Sequence, residues 1–303
     1  MNKNDSERIS ALIAQVIVES APCVEYTDDD VAKAESSMSE VEKAALRGEG
    51  MLDDFEHYYV IRKFCDMLCL NVAADKEYIK RLFLESRKLS AKAFYHDPYI
   101  NEISVPDIKI GDFLLLNSFY DKGEIFQYDM PDLESNIVVP KIGFFDAPVS
   151  FPSIYEGDMP WMSVCPSEIN SMREQMQAAH GRVLVLGLGL GYYPFIVSKK
   201  ESVESVVIIE RQPEIIRIFE DHILPSFSHK EKINVVQADA YEYLENLRDG
   251  EFDFCFADIW EGQEDGAPAY LKIKKYAEAL PNTEFTYWIE KEIKWYIERE
   301  YKK

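Results

Sequence analysis

The chain has 303 residues, enough for two compact units. Its hydrophobic content of 47%, with 13% aromatics, supplies a buried core and argues against an intrinsically disordered chain. Acids outnumber bases 55 to 33, and the resulting formal charge of −22 repels polyanions. Nucleic acid is therefore not expected as a partner. A small cationic molecule or a basic protein would be attracted, although the same acidity also serves solubility alone.

No run approaches the roughly 18 consecutive apolar residues that span a bilayer, so no membrane partner is expected. The opening MNKNDSERIS lacks the basic, apolar and small-residue regions of a signal peptide. A cytoplasmic location is the expectation. The five cysteines, Cys23, Cys65, Cys69, Cys165 and Cys255, are scattered and odd in number, unlike a disulfide framework. Cys65 and Cys69 would share a helical face, but no second Cys or His pair accompanies them. Buried apolar thiols are expected there, and no metal site.

In chain order, 5–20, 39–48, 52–71 and 75–95 read as helices. Phe55, Tyr58, Tyr59, Ile61, Phe64, Met67 and Leu68 recur at helical spacing, the mark of a core-facing stripe. Asp75 precedes Tyr78, Ile79, Leu82 and Phe83 as an N-cap would. Between about 105 and 165 the texture turns to short β-prone runs broken by Gly, Pro, Asp and Asn. That segment predicts an antiparallel sheet or a pair of hairpins. Three regions follow: 1–104 helical, 105–165 a β-rich lid or hairpin segment, and 166–303 an α/β domain.

From 166 onward strands and helices alternate. VLVL (183–186), VVII (206–209), INVV (233–236), FDFCFA (252–257) and EFTYW (284–288) are the strands. Helices are expected over 191–200, after Pro213, over 240–247 and around 268–279. A last helix carries the stripe Ile289, Ile293, Tyr296, Ile297 and Glu300, expected to pack on the sheet. Fully apolar strands covered on both faces, linked by helices, predict a Rossmann-like, mainly parallel, doubly wound sheet.

The sequence VLVLGLGLGYYP places Gly187, Gly189 and Gly191 between a buried strand and a helix start. Such a corner lets a ligand approach the backbone and meet free N–H groups. A dinucleotide fingerprint wants its third glycine at 192, which is Tyr. The spacing GxGxG instead resembles the first motif of class I S-adenosylmethionine-dependent methyltransferases. Glu210 and Arg211 close the second strand, Asp239 and Ala240 follow the third, and Asp258 follows the fourth. Taken singly, these acids also read as a strand cap, a helix N-cap and a loop carboxylate. Together they occupy successive carboxyl ends, the rim where open α/β sheets bind ligands.

Within that superfamily the resemblance, over about 160–262, is strongest to the spermidine synthase-like branch. An apolar Val185 precedes the glycine motif, and Asp239-Ala240 leads an aromatic-Leu pair. The resemblance implies S-adenosyl-L-methionine as cofactor, held by Gly187, Leu188, Gly189, Gly191, Glu210, Arg211, Asp239, Ala240 and Asp258. It implies Glu210 on the ribose hydroxyls, Asp239 and the Ala240 N–H on adenine, and Asp258 facing the methyl donor. The branch's catalytic base falls at Glu261, three residues after Asp258, and its glutamate about twenty residues before the glycines falls near Glu168.

DIWEG replaces the branch's Asp-Ser-Thr-Asp-Pro, and the closing strand pair is absent, so the polyamine groove is not assured. Trp260 fits either a pocket wall with cation–π capacity or a packing aromatic. Tyr192 and Tyr193 either cover the cofactor or pack beneath it. The expected activity is methyl transfer to a small or cationic substrate, with Asp258 and Glu261 orienting it or removing its proton. Aminopropyl transfer and non-catalytic cofactor binding are the alternatives, and a homodimer is compatible with either.

Overall fold

The structure, a computed structural model, describes residues 3–71, 73–135 and 137–300. The chain divides into two compact units, each made of two segments: Met1–Tyr95 with Phe119–Ser150, and His96–Ser118 with Phe151–Lys303. The boundaries expected at 104 and 165 give way to this interleaving because the strands between them pair into two different sheets.

In unit 1, α1 (Lys3–Ser20), α2 (Asp28–Ser37), α3 (Glu40–Gly48), α4 (Phe55–Met67), α5 (Lys76–Glu85) and α6 (Ala91–Phe94) accompany a three-stranded sheet. Its order is β1 (Arg87–Leu89), β5 (Lys141–Phe145), β4 (Phe126–Asp129), with β1 parallel and β4 antiparallel to β5. Ile13, Phe64, Tyr78, Leu82, Ile142 and Phe144 belong to its core; of the stripe expected on α4, Ile61 and Phe64 are buried and Tyr58, Tyr59 and Leu68 pack half-buried against the core, whereas Met67 is exposed. The helix expected over 75–95 ends at Glu85. Ser86 turns extended and donates to the Phe83 carbonyl at 3.0 Å, and residues 87–89 join β5 as a strand. Tertiary pairing overrides local helix propensity there. Cys69 lies beyond the end of α4, exposed, with φ of 54°, so it shares no helical face with buried Cys65.

Unit 2 holds α7 (Pro98–Glu102) and a four-stranded sheet of order β2 (Ile108–Ile110), β3 (Phe113–Tyr120), β6 (Val149–Glu156), β7 (Met159–Ser163). Two short helices, α8 (Pro166–Ser171) and α9 (Arg173–Ala178), precede its main sheet. The five strands of that sheet are β8 (Gly181–Leu186), β9 (Val203–Glu210), β10 (Ile233–Gln237), β11 (Phe254–Ala257) and β12 (Glu284–Tyr287). All run parallel, in the order β10-β9-β8-β11-β12. Residues 183–186 of β8 and all four of β11 are at most 1% exposed, as central strands covered on both faces must be. The linking helices are α10 (Tyr192–Ser198), α11 (Pro213–Ile218), α12 (Ala240–Asn246) and α13 (Gln263–Ala279), and α14 (Glu290–Glu300) ends the described chain. Ile293, on the stripe expected to face the sheet, is fully buried and meets α13 beside Gly266.

Lys200 locks the approach to β8. Its ammonium donates to the carbonyls of Met176 (2.8 Å), Gln177 (2.6 Å) and Ala179 (2.6 Å), satisfying the end of α9. Lys200→Met is expected to lower the unfolding free energy by about 1–3 kcal/mol, read from urea denaturation. An unchanged midpoint would mean that water replaces the ammonium fully. No helix among the described residues is long and apolar enough to cross a membrane.

Candidate functional site

The strand order reverses between β8 and β11: the chain steps from β8 outward to β10, then crosses back to β11 on the other side. Ligands bind open α/β sheets at such a switch, outside the carboxyl ends of the strands. The corner 187–191 leaves β8 there. The Gly187 N–H donates to Ile209 O at 2.9 Å and the Asp258 N–H to Leu186 O at 2.8 Å, which ties the tips of β8, β9 and β11 together.

The glycines serve different ends. At Gly187, φ is +96° and a Cβ would lie 1.9 Å from the Asp258 carbonyl oxygen, so the strand tips themselves demand glycine. Gly191 caps α10 hard against the buried Phe219 ring. Only Gly189 has ordinary room, with Met162 Sδ at 3.4 Å from a built Cβ. The N–H groups of Gly189 and Leu190 donate to no protein acceptor among the described residues. They are what the corner offers a ligand.

Glu210 is 8% exposed and accepts from Leu188 N–H at 3.2 Å with one oxygen and from Gln212 N–H at 2.8 Å with the other. Leu188, expected to hold cofactor, thus already gives its N–H to Glu210 and buries its side chain. Asp239 caps α12, one oxygen accepting from Tyr241 and Glu242 N–H at 2.9 and 3.1 Å. Its second oxygen and the Ala240 N–H have no protein partner among the described residues. The helix-cap reading and the ligand reading of Asp239 therefore hold together.

These groups share one cavity of about 590 Å³, within the range of small-molecule sites. Gly187, Leu188, Gly189, Glu210, Arg211, Asp239, Ala240, Asp258 and Glu261 all line it, whereas Gly191 stands behind the wall. Asp258 is half-buried at the tip of β11 and Glu261 exposed at the rim. Six acids and one base, Arg211, occur among the described lining residues. Glu168, on α8, faces the same space. Burial pushes its carboxyl up to about 7. Burial first, and then the Glu168 charge, raises Asp258 well above the usual carboxylate range.

Tyr193 packs flat on Phe256 with ring centroids 4.1 Å apart, beneath the cavity. Tyr192 lines the cavity and donates its hydroxyl to Asp97 Oδ2 at 2.8 Å. Trp260 both lines the cavity and packs over Gly266, whose built Cβ would sit 2.9 Å from the indole. Met162 and Trp161 on β7, with Trp288 after β12, complete the wall. Sequence reasoning did not place these, nor Tyr99, whose buried hydroxyl donates to Leu190 O at 2.5 Å and braces the corner. For α8 a signal was present: Pro166 at the first helical position with Glu168 in the first turn.

The strand order and the glycine corner at its switch make unit 2 Rossmann-like. No family model matches the chain, and no curated protein does. Solved structures are similar to parts of it. A conserved hypothetical protein from Streptococcus pyogenes is 19% identical over 36% of this chain and 64% of that one, with a TM-score of 0.29. Spermidine synthase from Thermotoga maritima is 16% identical over 41% of this chain and 49% of its own, TM-score 0.30. The 23S rRNA methyltransferase ErmE is 20% identical over 39% of this chain and 44% of its own, TM-score 0.30. The chain thus spans between 44% and 64% of the length of these structures.

Proposed function

We propose that the unit 2 cavity binds S-adenosylmethionine and that the protein transfers its methyl group to a small cationic acceptor. One observation carries this reading: unpartnered N–H groups at Gly189, Leu190 and Ala240 open onto the same cavity as Glu210 and Asp239, at the switch of the sheet. The residues fit the group. Glu210 retains lone pairs for ribose hydroxyls, the free oxygen of Asp239 suits the adenine amino group, and the Ala240 N–H suits a ring nitrogen. Bound there, the donor supplies an already activated methyl group, so the chain's own residues need only position the acceptor and manage its proton. Asp258 and Glu261 flank the acceptor's approach, and the acidic lining selects for positive charge.

Calorimetry is expected to give a dissociation constant in the range of about 1–100 µM for S-adenosylmethionine, and no response to NAD. Asp239→Ser keeps a helix-capping hydroxyl but withdraws the carboxylate, and is expected to weaken binding about ten- to a hundredfold. Unchanged affinity in that variant counts against the site. The acid-rich wall also favours a second reading, aminopropyl transfer from the decarboxylated donor. A clear preference for the carboxylated form in side-by-side titrations excludes it.

A further inference from the structure

Two carboxyl groups in the cavity wall have no countercharge. Glu168 on α8 and Asp258 at the tip of β11 make no carboxyl hydrogen bond or ion pair with the protein among the described residues. The other titratable groups lining the cavity are accounted for. Glu210 is held by Leu188 and Gln212, Asp239 by Tyr241 and Glu242, and Asp265 by Glu261 and Gly262 N–H groups. Arg211 and Glu261 are exposed, and Tyr192, Tyr193 and Tyr241 are neutral phenols. On Glu168's own stretch stand buried Cys165, beside Ser167, and Arg173, whose guanidinium donates to Asn170.

Two carboxylates in one cavity wall, neither given a hydrogen bond or a cation by the protein, resist ionising together, so the pair alone retains a proton. We propose that Glu168 and Asp258 form a one-proton pair that releases its proton when the sulfonium donor binds and accepts the acceptor's proton on methyl transfer. This rests on the cavity being an S-adenosylmethionine site. On transfer the carbon–sulfur bond breaks with its electron pair left on sulfur, which becomes a neutral thioether. The acceptor forms the new bond to the methyl carbon with its own electron pair and gives up a proton, which passes to the pair. The summed charge on sulfur and the pair then stays a single negative charge before and after transfer. That constancy removes the need to create or strand charge in a shielded space. The elevated Glu168 and Asp258 carboxyls support this balance. The proton's destination is thus Glu168 with Asp258, not the exposed Glu261.

The test needs no acceptor. Calorimetry of the full chain with S-adenosylmethionine and with S-adenosylhomocysteine, each in two buffers of different ionisation heat near pH 6, counts the protons exchanged on binding. The charged donor is expected to release about one proton more than the neutral thioether. Its affinity relative to the thioether is expected to rise up to about tenfold per pH unit below about pH 7 and to level off above. The double variant Glu168→Gln with Asp258→Asn is expected to erase the difference. Equal proton counts for the two ligands in the unaltered chain overturn the inference and leave the cofactor reading standing. So does a difference that survives in the double variant but disappears in Glu261→Gln. Binding of neither ligand overturns the cofactor reading itself.

Discussion

Gly187→Ala is expected to destabilise unit 2 by more than about 3 kcal/mol and to abolish S-adenosylmethionine binding. Alanine at φ of +96° carries a strain of about 1–3 kcal/mol. Its Cβ would also lie 1.9 Å from a backbone oxygen of Asp258, which no side-chain rotation relieves. The tip of β11 must move, and overpacking of this kind adds about 1–3 kcal/mol. Because Asp258 sits on that tip, the displacement also misplaces a cavity carboxylate. Gly189→Ala is the control: a Cβ there has 3.4 Å to Met162 Sδ and meets no backbone. It is expected to cost roughly 1 kcal/mol of stability while still obstructing a ligand at the corner. Urea denaturation and calorimetry on the two variants separate the roles. Equal loss of stability in both would show that strand-tip packing is not what fixes Gly187.

Glu210→Ala is expected to lower stability by about 2–4 kcal/mol and to reduce donor binding beyond detection. The carboxylate satisfies two N–H groups, on Leu188 and Gln212, in a place only 8% exposed. Each orphaned buried donor costs about 1–3 kcal/mol. The Leu188 N–H bond also orients the corner that presents Gly189, so a cofactor would lose both a ribose acceptor and a preformed turn. Thermal unfolding with and without S-adenosylmethionine checks this. A variant that melts early yet is still raised fully by the ligand would assign Glu210 to the fold alone.

The parallel sheet was legible because strands covered on both faces are written as uninterrupted apolar runs, as in VLVL and FCFA. The glycine corner and the acids at 210, 239 and 258 were legible from their place after those runs. What stayed hidden lacked a local signature. Helix α2 has no buried residue, so no apolar stripe announces it, and only its Thr27–Asp30 capping box does. Strand β1 is three residues long and exists through pairing with β5, more than fifty positions away. The brace of Tyr99 on Leu190, and the presence of Glu168 and Asp258 in one cavity wall, join residues whose separation in sequence no periodicity encodes. The exposure of Glu261 at the cavity rim was likewise not encoded in its motif position.

The interleaving of the two units sets an order on biogenesis. A chain emerging from the ribosome has all of α1–α6 available before β5, yet β1 finds no neighbour until residues 141–145 arrive. Unit 1 therefore closes only after the first strands of unit 2 have already been synthesised in between. A fragment cut at residue 166 would preserve every strand of the parallel sheet. It would nonetheless lack Met162 and Trp161, and also Asp97 and Tyr99. Such a piece would carry the glycine corner without the wall that faces it or the phenol that holds it.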